Sequence, residues 1–131
     1  MPGPLIEMLR RVGLFAELDD SDLQVIADAM REQTFPAGAV ITVEGTVSDG
    51  FFVIGTGEAA VSVRDEARGT MGPGDCFGEI ALLMGAERTA TVTAIDDLIC
   101  FALYSQDFQA IVEGSPAIAW ALVQSMTQHL E

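Results

Sequence analysis

The sequence predicts a mainly β domain, a barrel or jelly roll, with helices on both sides of it. Three observations predict this. Nine of the 13 glycines fall from Gly38 to Gly78, where they separate short β-branched or aromatic runs. Both ends of the chain carry helical spacing instead. Half of the 131 residues are apolar and are spread along the whole chain, which suits one domain with one core, since a domain of this length buries roughly two thirds of its unfolded surface.

The segment Leu5 to Arg31 has helical spacing, and Ser21 ahead of Leu23, Ile26, Ala27 and Met30 reads as the N-cap of an amphipathic helix. At Phe35, Pro36, Ala37 and Gly38 the texture changes. Strands are expected at Val40–Val43, Phe51–Ile54, Ala59–Val63, Ala90–Ala94 and Leu98–Leu103, with Gly45, Gly50, Gly55, Gly57, Gly69, Gly72 and Gly74 at the turns. Hydroxyl and apolar residues alternate from Thr89 to Ala94, which predicts Ala90, Val92 and Ala94 facing inward and the threonines on a wet or ligand-contacting face. After Tyr104, Gln106–Glu113 reads as a helix stopped by Gly114. Ser115 and Pro116 then supply the N-cap and first position of a helix over Ala117–Leu130. Ile118, Trp120, Leu122 and Met126 make that last helix apolar over more than one stripe, which fits plain core packing, or a helix that closes over a ligand or pairs with a second subunit. No repeat, linker or low-complexity tract divides the chain.

Composition excludes several classes of function. With 20 acidic residues against 6 basic ones, the net charge of −14 repels polyanions, so no nucleic acid is expected as a partner of this domain alone. The longest nearly unbroken apolar stretch, Ala117 to Val123, is far short of the roughly 20 residues that a membrane span needs, and no membrane insertion is expected. Glu7 among Leu5, Ile6 and Leu9, followed by Arg10 and Arg11, is the wrong order for a secretory signal, which reads as cytoplasmic. Cys76 and Cys100 read as buried free thiols of a reducing compartment. A metal-dependent barrel enzyme needs several clustered histidines and a covalent one needs a base beside its nucleophile, yet the only histidine is His129, near the chain end. The chain is therefore read as no enzyme and as holding no metal. The run Gly55, Thr56, Gly57, Glu58, Ala59, Ala60 matches a dinucleotide fingerprint, but Val61, Ser62 and Val63 continue it as a strand where the fingerprint requires a helix.

The chemistry concentrates in one segment. Gly72, Pro73, Gly74, Asp75, Cys76, Phe77, Gly78 and Glu79 form a glycine-rich loop leading into a helix-like stretch, Ile80 to Met84, stopped by Gly85. Unpaired N–H groups at such a start attract anions. Arg88 follows, the only lysine or arginine between Gly69 and Glu131 in a chain with no lysine. An anion site in a protein this acidic needs a fixed cation, and the planar guanidinium matches two phosphate oxygens at once, with the Thr89 hydroxyl able to add a bond. Glu79 would repel a phosphate, so its useful role is to accept from a sugar hydroxyl, and together the three features describe a ribose phosphate. On the residues alone, a surface ion pair between Glu79 and Arg88 worth about 0–1 kcal/mol stays open.

The segment Phe77, Gly78, Glu79, Ile80, Ala81, Leu82, a short spacer, then Arg88, Thr89, Ala90, Thr91, Val92 resembles the phosphate-binding cassette of cyclic nucleotide-binding domains, as found in bacterial cAMP receptor proteins, cyclic-nucleotide-dependent kinases and cyclic-nucleotide-gated channels. The resemblance is specific at the cassette. It extends loosely to Gly13, Leu14 and Phe15, the Pro36 to Gly38 turn, the Gly55 to Gly57 turn and the closing helices. It implies a β-roll, a jelly-roll-like double-stranded β-helix, in a single domain over 1–131: N-terminal helices over 5–34, the roll over 35–103 with the cassette at 77–92 forming a short helix, and two C-terminal helices over 104–131. It implies that Arg88 and Thr89 bind the cyclic phosphate with backbone N–H groups near Gly78, Ile80 and Ala81, that Glu79 takes the ribose 2′-hydroxyl, and that Val92, Leu122 and Met126 are base or lid contacts. The ligand is then cAMP, in preference to cGMP, with no cofactor. The signal would pass through movement of the last helix, and the partner implied is a homodimer mate at that helix or an effector domain outside this chain. The family's base-contacting hydroxyl residues would align just beyond Glu131, and these 131 residues show no helix-turn-helix after the roll. Some relatives of the bacterial activators hold haem or an iron–sulfur cluster; two cysteines cannot supply a four-thiolate cluster, and haem stays open as a minor alternative. The alternative is a structural or protein-interaction roll of the same fold that binds no nucleotide.

Overall fold

The computed structural model describes residues 4–47, 49–78 and 87–129. The chain divides into two compact units, a helical one from Met1–Met30 with Ser105–Glu131 and a β one from Arg31–Tyr104.

In the helical unit, α1 (Pro4–Arg10) runs into a single 3-10 turn, Gly13–Phe15, and then α2 (Asp20–Ala29). The residue that caps α2 is Asp19 and not Ser21: its carboxylate accepts the Asp22 N–H at 2.9 Å, while Ser21, inside the helix, donates to the same carboxylate at 2.8 Å. At the other end of the chain the reading of the caps holds. The Ser115 hydroxyl accepts the Ile118 N–H at 3.3 Å, separating α3 (Ser105–Gly114) from α4 (Pro116–His129). Ile118, Ala121, Leu122 and Ser125 are all buried, so α4 buries one face at the spacing of successive turns, whereas Trp120 and Val123 are exposed. Ser125 is fully buried and fully used: its hydroxyl donates to the Ala121 carbonyl at 3.1 Å and accepts the Glu17 N–H at 3.1 Å. The bond from Glu17 ties α4 to the segment after the 3-10 turn. Among the described residues no helix is long and apolar enough to cross a membrane.

The β unit is two four-stranded antiparallel sheets. One has the order β1 (Arg31–Phe35), β8 (Leu98–Leu103), β3 (Phe51–Thr56), β6 (Cys76–Phe77), and the other β2 (Val40–Thr42), β7 (Thr91–Ala94), β4 (Ala59–Val63), β5 (Glu66–Met71). This is the strand order of a jelly roll, as expected. The core lies between the sheets: Phe52, Ile54, Leu98, Cys100 and Ala102 from one meet Ala59, Val92 and Ala94 from the other. The alternation along β7 is as predicted, with Val92 and Ala94 buried and Thr91 and Thr93 only half-buried.

Three strands depart from the reading of the sequence. β1 begins at Arg31, inside the segment assigned to helix, and holds its place by pairing with β8 from Arg31↔Ala102 to Phe35↔Leu98. β5 is a mostly exposed edge strand with no run of large apolar residues, joined to β4 by a two-residue turn in which Arg64 and Asp65 have φ of 54° and 63°. Left-handed backbone at two such residues is costly, and Glu44 offsets it by accepting the Arg64 N–H at 2.8 Å. β6 is only two residues long. Two glycines assigned to turns lie inside strands: Gly55 sits at a register irregularity of β3 against β8, and Gly69 adjoins the extra residue where β5 slips against β4.

Candidate functional site

Arg88 lies just before β7, and it bonds to the connection between β2 and β3 with both its backbone and its side chain. The Gly45 N–H donates to the Arg88 carbonyl at 2.9 Å, and the Arg88 N–H donates to the Thr46 carbonyl at 2.8 Å. The side chain then reaches the far end of the same connection, where Nη2 donates to the carbonyls of Asp49 at 3.0 Å and Gly50 at 2.8 Å. Hydrogen bonds from a charged donor are worth about 1.5–3 kcal/mol each, enough to fix the plane of the fork. The side chain is 6% exposed. Burial pulls the guanidinium pKa down and the Asp49 carboxylate pulls against it. An arginine starts so far above neutrality that the charge is retained.

Gly78 faces the other terminal nitrogen. β6 pairs with β3 through Phe52↔Phe77 and Val53↔Cys76, and the Phe77 ring stacks on Phe52 with centroids 5.1 Å apart. Phe52 is itself held edge-on by Tyr104 and Phe35. This aromatic group delivers the next residue, Gly78, to the guanidinium. A β-carbon at Gly78 would lie 2.6 Å from Nη1 and would press on the Gly50 carbonyl oxygen, at a φ of +96°. Gly50 is equally constrained, since a β-carbon there would meet the Phe52 ring at 2.9 Å. Only glycines let these three backbone segments close around the charge.

The arrangement is a desolvated cation braced on one edge by carbonyls and presenting its other edge to the backbone that begins the cassette. A guanidinium held in this way is chemically able to recognise an oxyanion.

Of the residues singled out from the sequence, the structure brings Gly78 and Arg88 together. Thr89 is exposed beside Arg88, Val92 is 3% exposed and packs in the core of the roll, and Leu122 is buried in the helical unit. Glu79, Ile80 and Ala81, the expected short helix around them, and the Met126 side chain lie outside the described residues. Gly72 to Asp75 are loop, as expected, and the helix start expected at Ile80 lies outside the described residues. The loop makes a turn before β6, in which the Asp75 carboxylate accepts the Gly72 N–H at 2.8 Å and the Gly74 N–H donates to the Ile54 carbonyl at 2.8 Å. Cys100 is buried, and burial pushes its thiol up to about 11, whereas Cys76 is half-buried, more open than expected. The acceptors at Asp49 and Gly50 have no counterpart in the reading of the sequence. The one signal for them is a glycine directly before two phenylalanines, Phe51 and Phe52.

The chain is similar to several known proteins. A cyclic nucleotide-gated potassium channel of Rhizobium etli is 39% identical over 113 residues, which cover 86% of this chain and 32% of the channel. The chain thus spans about a third of the length of that relative. Among solved structures, the N-terminal domain of a transcriptional regulator from Streptomyces coelicolor A3(2) superposes with a TM-score of 0.87 at 30% identity, covering 94% of this chain and 91% of that one. The regulatory domain of Toxoplasma gondii PKA, crystallised with cAMP, superposes with a TM-score of 0.73 at 34% identity over 82% of this chain and 42% of that one. The family model for the cyclic nucleotide-binding domain matches residues 32–115, a span that takes in the described strands save Arg31, the first residue of β1, together with Gly78 and Arg88. The chain therefore belongs to the cyclic nucleotide-binding domain family, a regulatory ligand-binding fold.

Proposed function

We propose that this domain binds cAMP in preference to cGMP, and that Arg88 is the residue that holds the cyclic phosphate. The observation that carries this reading is the buried guanidinium braced by the Asp49 and Gly50 carbonyls with Nη1 against Gly78. In a chain of net charge −14 an anion gains nothing from the overall field, so a fixed, desolvated cation must supply the attraction. Glu79 takes the ribose 2′-hydroxyl, the backbone N–H groups of Gly78, Ile80 and Ala81 complete the cradle, and Thr89 adds a hydroxyl. The likeness to a kinase regulatory domain crystallised with cAMP supports the choice of ligand.

Binding is relayed by movement of the last helix, Pro116–His129, with Val92, Leu122 and Met126 as base or lid contacts. The driving force for that movement is limited to the difference in ligand affinity between the two positions of the helix. The likeness to channel relatives supports an effector outside these residues, such as a channel pore. Calorimetric titration with cAMP and with cGMP tests the reading. One site per chain with cAMP the tighter ligand is expected, and no heat with either nucleotide at millimolar concentration overturns it.

A further inference from the structure

Of the six arginines in the chain, Arg88 alone is buried. Arg10, Arg11, Arg31, Arg64 and Arg68 are all exposed, where water and salt weaken their fields, and residues 79–86 contain no lysine or arginine. An incoming anion therefore meets one desolvated positive charge, and that charge is already drawn upon. Nη2 of Arg88 donates to the carbonyls of Asp49 at 3.0 Å and Gly50 at 2.8 Å, the Asp49 carboxylate attracts the same guanidinium, and Glu87 is the exposed residue before it in the chain. The net charge of −14 opposes any further negative charge. Such a site can compensate one negative charge on a ligand. A second would be desolvated with no second buried arginine to meet it.

We propose that this site selects phosphates by charge state, taking monoanions only: phosphodiesters at any pH near neutrality, and phosphate monoesters in their singly protonated form. This rests on the reading that Arg88 holds the phosphate. A cyclic nucleotide is a diester and carries one charge, whereas a monoester loses its second proton with a pKa of about 6. Adenosine 5′-monophosphate is then a second ligand of the same site, and its competent form makes up about 3% of it at pH 7.5 and about 76% at pH 5.5. Apparent affinity scales with that fraction, so it tightens by about 25-fold between the two. The groups that face the guanidinium are the Asp49 and Gly50 carbonyls, the Asp49 carboxylate and the Gly78 backbone, with Glu79 joining them on the reading above. Carboxylates ordinarily titrate near pH 4 and arginine stays charged, so the pH window belongs to the ligand. The only histidine of the chain, His129, ends α4 in the helical unit.

The test is calorimetric titration of the full 131-residue chain with cAMP and with adenosine 5′-monophosphate at pH 7.5 and pH 5.5, at equal ionic strength and with the fold checked by circular dichroism at both. The cAMP dissociation constant is expected to move by less than about threefold, while that of the monophosphate tightens by about 25-fold at pH 5.5, where it also displaces cAMP. If cAMP binds and the monophosphate has the same affinity at both pH values, shows no binding at pH 5.5, or binds there without displacing cAMP, selection by charge state is overturned and the binding reading stands. If cAMP tightens as much as the monophosphate does, a group of the protein is titrating and the selection is overturned as well. If cAMP binds at neither pH, the selection and the reading it rests on fail together.

Discussion

Gly78→Ala is the sharpest single perturbation of the site, because two independent costs coincide there. The first is conformational: at φ +96° an alanine is held where only glycine is comfortable, at about 1–3 kcal/mol. The second is steric. The new methyl would fall 2.6 Å from Nη1 of Arg88 and against the Gly50 carbonyl oxygen, and a forced core contact of this kind costs about 1–3 kcal/mol. Neither obstacle is the far end of a flexible chain, since the guanidinium is bonded to two carbonyls and the oxygen belongs to the backbone. Taking the two together gives about 2–6 kcal/mol. For a chain of this size roughly 3–6 °C of melting temperature accompanies each kcal/mol, so the melting temperature followed by circular dichroism is expected to fall by about 6–35 °C. Gly114→Ala is the control, because a β-carbon there meets nothing within 4 Å and no left-handed backbone is involved, so it should shift the melting temperature by less than about 2 °C. A Gly78→Ala protein melting within about 2 °C of wild type would refute the account of how Gly78, Gly50 and Arg88 close on one another.

Three further outcomes follow from the same structure. Ser125→Ala strips the acceptor from the Glu17 N–H, and urea unfolding is expected to show a loss of about 1–3 kcal/mol; an unchanged midpoint contradicts the role given to that bond. The bonds that Asp19 accepts from the Asp22 N–H and the Ser21 hydroxyl hold its carboxyl below the ordinary value of 3.8. A folded pKa below the unfolded one gives stability that is present above the unfolded value and lost as pH falls through the folded one. The stability difference between wild type and Asp19→Asn should therefore shrink on acidification below about pH 4, and a constant difference contradicts this. A thiol-specific reagent should label Cys76 in the native protein and reach Cys100 only on unfolding, because burial keeps the latter protonated with its thiol near 11; equal rates at both sites argue against the packing of β8.

Much of the roll is legible in the sequence, and the rest is hidden for identifiable reasons. Strands β3, β4, β7 and β8 carry a buried face, which leaves its mark as apolar residues at strand spacing, whereas β2 shows as a β-branched run, Val40, Ile41 and Thr42. β1 and β5 are edge strands whose residues are largely exposed, so Arg31, Glu32, Gln33 and Glu66, Ala67, Arg68 carry no such mark, and β1 reads as the tail of the preceding helix. The shift of the α2 cap from Ser21 to Asp19 reflects a run of adjacent capping residues. Asp19 prevails because its carboxylate can take both the Asp22 N–H and the Ser21 hydroxyl. At the site, Arg88 stands out as a lone cation in an acidic half of the chain and Gly78 as the glycine that opens the cassette. The carbonyls of Asp49 and Gly50 do not stand out, because a backbone acceptor has no side-chain identity for a sequence to display. Glu44 is obscured in a different way. Among 20 acidic residues nothing distinguishes the one that stabilises a turn 20 positions away.

The central claim is that one guanidinium provides the attraction for the ligand, and the most direct test of it is the cAMP affinity of Arg88→Leu beside that of wild type, with Arg88→Lys as the variant that keeps the charge but loses the fork. Truncating one partner of a desolvated charged contact costs about 2–5 kcal/mol, so the predicted result is a loss of at least about 30-fold for leucine and a smaller loss for lysine, both proteins remaining folded by circular dichroism. A folded Arg88→Leu protein that binds cAMP as tightly as wild type would contradict it.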